Sequence, residues 1–240
     1  MRALVLSDIH ANANALESVL QLAGPVDAVW CLGDVVGYGP DPNEVIARLR
    51  QLPNLLCLQG NHDAAAIGAL ALDGFNQEAR ASVEWLRNRL TPDSLEFLQS
   101  LQPRLELEEV TLAHASPRQP TLEYLLDVYT AGENFDHFDS SFCFVGHTHI
   151  PVLFHKNEFQ VTLHIPQTER TLVLEPRCIV NPGSVGQPRD RDPRAAFAIF
   201  DDQEHTWAYQ RVEYDIPAVQ KRMQAAGLPE RHITRLASGW

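Results

Sequence analysis

The sequence predicts an α/β chain in which two sheets pack face to face with helices outside. Three observations carry this. The first hundred residues hold three apolar runs, two of them followed by a loop and a helical pattern. After Pro103 the texture changes to short β-prone runs, and polar residues cluster just behind the apolar runs. Repeated βα units argue for a mostly parallel sheet covered by helices, and packing a second sheet against it accounts for both halves within one core. At about 150 residues per domain, the 240 residues are read as one compact domain, 1–240.

Taken in order, Ala3 to Leu6 is an apolar run ending in Ser7-Asp8, and Asn12 to Leu22 follows with helical periodicity. Ala28 to Leu32 repeats the pattern. A helix opens at Asp41-Pro42, where aspartate can cap and proline suits the first turn. Leu55 to Leu58 is the third run. Asn76 to Leu101 is helical in pattern and broken at Thr91-Pro92, an N-cap followed by a first helical residue, so two helices are expected. The expected strands beyond Pro103 are Arg104 to Leu107, Val110 to His114, Phe142 to Val145, Val152 to His155, Phe159 to His164, Thr171 to Leu174, Cys178 to Val180, Ala195 to Phe200 and Thr206 to Val212. Tyr124 to Ser141 reads as helix and loop over the site. Asp215 to Ala226 reads as a helix, and the tail after Gly227 as a short helix or frayed end.

Hydrophobic residues make up 45% and charged residues 21%, which excludes a disordered, collagenous or disulfide-scaffold chain. No run approaches ~18 consecutive apolar residues, so a membrane partner is not expected. Acidic residues number 31 against 19 basic ones, for a net charge of −12, and no Lys/Arg block is present. Long nucleic acid is therefore disfavoured as a partner, because backbone binding needs a positive face to release counterions. Cys31, Cys57, Cys143 and Cys178 lie far apart in the sequence and form no CxxC pair, so they read as small hydrophobes in a reducing cytoplasm, not as a zinc site.

Four polar clusters follow expected strands: Asp8-Ile9-His10, Gly33-Asp34, Gly60-Asn61-His62-Asp63 and Gly146-His147-Thr148-His149; His114 makes a fifth. In open α/β sheets, ligands gather at the carboxyl ends of strands. Five of the ten histidines lie in these places, whereas His137, His155, His164, His205 and His232 have no such setting. Carboxylate and imidazole donors without thiolates suit Mn, Fe, Zn, Ni or Co. Within Asp-x-His and His-x-His, the alternation of extended chain turns both side chains to one side. A carboxylate such as Asp34 can bridge two ions, and two ions about 3.5–4 Å apart clamp both oxygens of a phosphoryl displacement. The glycines before Asp34, Asn61 and His147 let the chain turn sharply and bring backbone close to a ligand. The phosphate-binding Gly-x-x-x-x-Gly-Lys-Ser/Thr, Gly-x-Gly-x-x-Gly, His-Glu-x-x-His and Gly-x-Ser-x-Gly motifs are absent.

As a set and in order, Asp8-x-His10, Gly33-Asp34, Gly60-Asn61-His62-Asp63, His114 and Gly146-His147-x-His149 resemble the signature of the calcineurin-like metallophosphoesterase superfamily. The resemblance implies a four-layer αββα sandwich of two mixed sheets and a dinuclear metal centre, with manganese or iron favoured. It implies that Asp8, His10 and His149 hold one ion and Asn61, His114 and His147 the other, with Asp34 bridging. It further implies a metal-bridging hydroxide as nucleophile. His62 would be the catalytic histidine, oriented by Asp63, and His62 and Asn61 would stabilise the equatorial oxygens or the leaving group.

Three further stretches are similar to the small prokaryotic phosphodiesterase branch: Asp34 to Glu44 with Tyr38, His114 to Arg118 with Glu123-Tyr124, and Asn181 to Asp190 with Arg189. Arg118 and Arg189 are candidates for phosphate contacts, because guanidinium suits bidentate phosphate recognition. Tyr38 is a candidate to stack on a base or pack the turn. The expected activity is hydrolysis of a small nucleotide-like or dinucleoside polyphosphate substrate. A phosphomonoesterase or protein serine/threonine phosphatase, a non-catalytic scaffold and a homodimer remain as alternatives or additions.

Overall fold

The computed structural model describes residues 1–240. Its first sheet is ordered β3-β2-β1-β11-β12-β9. The strands are β1 (Arg2–Leu6), β2 (Ala28–Cys31), β3 (Leu55–Cys57), β9 (Thr171–Val173), β11 (Ala195–Asp201) and β12 (Thr206–Val212). The second sheet is ordered β4-β5-β6-β10-β7-β8. It comprises β4 (Arg104–Glu106), β5 (Val110–Ala113), β6 (Phe142–Phe144), β7 (Val152–Lys156), β8 (Val161–His164) and β10 (Cys178–Asn181). Both sheets are mixed. β1, β2 and β3 run parallel, as the βα grammar predicts, but β11, β12 and β9 complete that sheet antiparallel. The split at Pro103 therefore does not separate the sheets, because three strands of the β-rich half return to the first one.

Alternation along the strands explains the layers. On β1, Ala3 and Val5 face the second sheet, while Leu4 and Leu6 face helices; on β6, Phe142 and Phe144 point inward and Cys143 outward. Strands buried on both faces read as continuous apolar runs, which is how the sequence writes them. The inter-sheet core is filled by Trp30, Phe142, Phe144, Phe200 and Trp207.

Outside the first sheet lie α1 (Ala13–Ala23), α2 (Pro42–Leu49), α4 (Gln77–Arg87) and α5 (Pro92–Ser100), each with residues in the shared helix–sheet cluster. Further along, α7 (Ile216–Ala225) and α8 (Glu230–Arg235) pack on each other. Asn12, Asn76, Thr91 and Asp215 cap α1, α4, α5 and α7 through their side chains. Asp41 does not cap α2. Its carboxylate accepts from Ala13 N and from Arg222 Nε and Nη2 on α7, at 2.9 and 2.7 Å for the guanidinium, because an ion pair outcompetes a cap bond. A short helix absent from the sequence reading, α3 (Asn61–Ala66), starts directly at the polar cluster after β3.

The segment from Tyr124 to Ser141 lies mostly away from the site. Its helix α6 (Val128–Asn134) and a following 3-10 turn cover the outer face of the second sheet through Ala131 and Phe135. No helix is long and apolar enough to cross a membrane.

Candidate metal centre

The polar clusters occupy the carboxyl ends of parallel strands: Asp8 and His10 follow β1, Asp34 follows β2, Asn61 and His62 follow β3, His114 follows β5, and His147 and His149 follow β6. Ligand atoms of Asp8, His10, Asp34 and His149 lie within 4.8 Å of one another, and so do those of Asp34, His114 and His147. Asp34 belongs to both groups. Its Oδ2 stands 3.6 Å from His10 Nε2 and 3.6 Å from His114 Nε2. Asn61 Oδ1 reaches His114 Nε2 at 3.3 Å. His147 and His149 thus diverge to different groups instead of facing one.

The chain reaches this arrangement by turns, not by extended alternation. Asp8, His10, Asp34, His147 and His149 all have left-handed backbone, with φ between 49° and 64°. Each such non-glycine residue costs about 1 kcal/mol, and strain of this kind collects at functional sites. Gly60 answers a tighter demand, since a Cβ there would lie 2.0 Å from Asp34 Oδ1.

The donors fit divalent cations. His10 Nδ1 donates to Val36 O at 3.2 Å, His114 Nδ1 to Leu32 O at 2.7 Å and His149 Nδ1 to Gln187 O at 2.6 Å. Holding the proton on Nδ1 leaves each Nε2 lone pair aimed inward. Consequently His10 Nε2 and His149 Nε2 face each other at 3.1 Å. Asp8 Oδ2 accepts from Ser7 Oγ at 2.6 Å and from His147 N at 3.1 Å, while Asp34 Oδ1 accepts from His62 N at 2.9 Å. The other oxygens, Asp8 Oδ1 and Asp34 Oδ2, are buried without a hydrogen-bond partner, as is His147 Nε2. Convergent lone pairs with no proton between them are what a cation satisfies.

Burial sets the electrostatics. It raises Asp34 well above the usual carboxylate value, with the Asp63 charge adding, and it pushes Asp8 up to about 7. His10, His147 and His149 are held well below the usual histidine value, chiefly by burial. These three imidazoles are neutral at pH 7, so at Asp8 and Asp34 a proton competes with metal. Asp8 must lose its proton to ligate; below pH 7 the apparent affinity is expected to fall by about tenfold per pH unit from this group alone. Chelator competition between about pH 8 and pH 5.5 checks this. A flat affinity would contradict it.

Asp63 does not orient the His62 ring. Its carboxylate accepts backbone N–H groups of Gly60 at 2.9 Å, Val36 at 3.0 Å and Val35 at 3.2 Å, and so pins the Asp34 loop to the start of α3. A carboxylate three residues after Gly60 finds the free Gly60 donor at the helix start and the Val35 and Val36 donors of the adjoining loop before it can reach a neighbouring side chain. Asp63→Ala is expected to lower stability by about 3 kcal/mol and metal content with it. A variant with full stability and metal but lost turnover would return Asp63 to a direct catalytic role.

His62, 4% exposed, lies on α3 with its ring 4.4 Å from Tyr38 and 5.1 Å from Phe75, and its Nδ1 has no partner. Beside it, Asn61, Leu70, Phe75, Leu122, Tyr124 and His147 border a cavity of about 310 Å³.

Of the expected phosphate contacts, Arg118 is committed elsewhere: its guanidinium pairs with Glu123 and with Glu133, the latter at 2.7 Å. The motif reading quoted Glu123 beside Arg118 but could not see Glu133, which arrives from α6. Tyr38 is 7% exposed and packed among His10, His62 and His232, as its turn-packing reading has it, and it also borders the cavity beside His62. Arg189 does stand at the centre: its amide bonds His149 O at 3.4 Å, and its charge acts on Asp8, Asp34 and His62.

Ser7, Gln187, Phe75, His232 and Arg235 escape the sequence reading. Ser7 had a signal, as a polar residue directly behind β1. Gln187 holds His149 through a backbone carbonyl, which no side-chain pattern encodes. His232 is 2% exposed with both ring nitrogens unpartnered, and it meets Tyr38 only because α8 folds back.

A family model described as the calcineurin-like phosphoesterase superfamily domain matches residues 1–205. The chain is 36% identical to the uncharacterized protein MJ0912 of Methanocaldococcus jannaschii over 98% of this chain and 97% of that one. It is 30% identical to a symmetrical bis(5'-nucleosyl)-tetraphosphatase of Erwinia tasmaniensis, over 48% of this chain and 44% of that protein. In three dimensions it is similar to a metallophosphoesterase from Sphaerobacter thermophilus, with a TM-score of 0.92 and 46% identity over 100% of this chain and 99% of the other.

Proposed function

The chain belongs to the calcineurin-like phosphoesterase superfamily, whose members are metal-dependent hydrolases, and from that membership we propose that it is a phosphodiesterase with a dinuclear centre, acting on small nucleotide-like or dinucleoside polyphosphate substrates. The single observation that carries the dinuclear reading is the pair of ligand groups sharing Asp34 Oδ2. Asp8, His10 and His149 would hold one ion, Asn61, His114 and His147 the other. The all-nitrogen-and-oxygen donor set suits manganese or iron, and also zinc, nickel or cobalt.

Diester specificity is supported by the cavity beside His62. A phosphomonoester has one organic group, whereas a diester has two, and Leu70, Phe75, Leu122 and Tyr124 offer apolar surface for the second. The distant likeness to the symmetrical bis(5'-nucleosyl)-tetraphosphatase supports the nucleotide class.

When bound, the ions supply Lewis-acid charge to the phosphoryl oxygens and lower the pKa of water toward 7. The protein's own contributions follow from the site. Burial, with the Arg189 charge adding, holds His62 well below the usual histidine value, so its ring is neutral at pH 7. A neutral imidazole carries one N–H, which it can donate to the leaving-group oxygen. Asn61 Nδ2 is a second donor for a phosphoryl oxygen. Arg189 places a permanent positive charge near the developing negative one.

Metal-stripped protein given back Mn²⁺ is expected to hydrolyse bis-p-nitrophenyl phosphate in preference to p-nitrophenyl phosphate, and neither without metal. Preference for the monoester would replace the diesterase reading with a phosphatase. Folded, metal-bound protein that turns over neither would overturn both.

A further inference from the structure

The His147 ring is held by a loop that has no backbone framework of its own. Residues 121–126, between β5 and α6, make no backbone–backbone hydrogen bond. Yet this loop supplies what surrounds the ring. The Tyr124 ring lies 4.1 Å from that of His147, tilted by 37°. Burial lowers His147, and a hydrogen bond from its ring to the Leu122 carbonyl opposes that shift. His147 Nε2 has no partner, so the bond falls to Nδ1 and leaves Nε2 free for the centre. The main chain of His147 is tied separately, its amide donating to Asp8 Oδ2 at 3.1 Å. What the loop governs is the ring.

Glu123, between Leu122 and Tyr124, fixes the loop through its side chain. Its Oε2 accepts from Ser116 Oγ at 2.7 Å and from Asn134 Nδ2 at 2.8 Å, and its Oε1 accepts from Arg118 Nε at 3.1 Å and from Arg118 Nη2. These donors are anchored in turn. Ser116 and Asn134 are fully buried, and Asn134 also donates to Thr130 O within α6 and accepts from the Arg118 amide, both at 3.0 Å. Leu122 and Tyr124 are each about half exposed, so burial does not hold them; of the six residues only Leu125 is buried, under α6. Burial works to raise Glu123, but the bonds from Arg118, Ser116 and Asn134 outweigh it and hold the carboxyl below its usual value. It is therefore an anion at pH 7, and bonds to an anion are the strong ones.

We propose that Glu123 is a positioning residue for the metal centre: by fixing the 121–126 loop, it holds the His147 ring in the orientation that ligates. The inference rests on the dinuclear reading of the site. His147 belongs to the Asp34–His114–His147 group and not to the group of Asp8, His10 and His149, so the effect falls on one ion and spares the other.

The test is equilibrium dialysis of the metal-free full chain against graded Mn²⁺, with bound metal counted. Wild type is expected to take up two ions. Glu123→Ala is expected to weaken one of them about 10–100-fold, the usual cost of losing a group that orients a metal ligand, and to leave the other within about twofold. Glu123→Gln has the same length and keeps one acceptor oxygen, so it should lose less at that same ion. Glu133→Gln breaks the second Arg118 ion pair without touching Glu123 and should leave both affinities unchanged. Circular dichroism and melting curves check folding, and Glu123→Gln decides the matter where alanine unfolds the chain. A carboxylate that only stabilises the fold would lower the melting temperature and leave both affinities alone, or weaken both ions alike; either result in a folded variant overturns the proposal. Wild type that binds a single ion overturns the dinuclear reading and this inference with it, whereas two ions indifferent to Glu123 overturn the inference alone.

Discussion

Asp34→Asn is expected to abolish stable metal binding and turnover together while making the metal-free protein more stable. The two effects have one cause. Asp34 Oδ2 is buried, unpartnered and shared between both ligand groups, so with cations it is the most heavily used donor and without them it is a buried uncompensated charge. Asparagine keeps an oxygen for the His62 amide, which Asp34 Oδ1 now accepts at 2.9 Å, and removes only the charge. The sign follows from linkage. Folding raises the Asp34 pKa, so its proton is bound more tightly in the folded state, and this group's contribution to stability is lost as pH rises from about 4 through the folded value. At a pH above the folded value the full penalty is present in wild type and absent in the variant. Metal-free Asp34→Asn should then melt roughly 3 °C or more above metal-free wild type, the shift of ~1 kcal/mol in a chain of this size. With Mn²⁺ the order should reverse, because only wild type gains binding energy. Metal analysis, melting curves with and without metal, and turnover check it. Retained metal stoichiometry with full activity would remove Asp34 from the ligand set.

His62→Ala is expected to keep its metal and lose turnover by roughly 10²–10⁴-fold, the usual range for one acid–base group. The His62 ring belongs to neither ligand group, and its Nδ1 has no protein partner. Its surroundings are aromatic, Tyr38 on one side and Phe75 on the other. Removing the ring enlarges a cavity that already exists, so His62→Gln serves as a second variant that fills the space with a hydrogen-bonding group. Both should show unchanged metal content. Because burial keeps the imidazole neutral, the wild-type pH–rate profile should lack a limb near 6.5 from this residue. Loss of metal in either variant would make His62 a ligand, and undiminished turnover would deny it a catalytic part.

The strands were legible nearly residue by residue because most are buried on at least one face and therefore written as apolar runs, as in Ala3 to Leu6 and Phe142 to Val145. Helices with side-chain caps were legible too. Asp41 shows the limit, since the same residue type that caps α6 and α7 was drawn off here by Arg222, some 180 positions away in sequence. The convergence of Asp8, His10, Asp34, His114, His147 and His149 was also readable, although the extended-chain reason given for it was not the one the backbone uses. Left-handed turns at five candidate ligands are decided by what surrounds them, not by residues whose own preferences oppose them. Asp63 and Arg118 were assigned from motif position, and the structure engages them with backbone amides and with Glu123 and Glu133 instead, whereas Tyr38 takes the packing alternative of its two readings.

By itself the sequence determined the two kinds of element, the chemistry of the donors and their place behind the strands, because hydrophobic periodicity and side-chain type are local properties. Only the tertiary structure decided which carboxylate oxygens stay unpartnered, that Asp63 serves the backbone, and that Arg235 meets Arg189 at Gln187. Those outcomes depend on which groups from distant segments arrive first to satisfy a buried donor or acceptor, and no window of the sequence contains that competition.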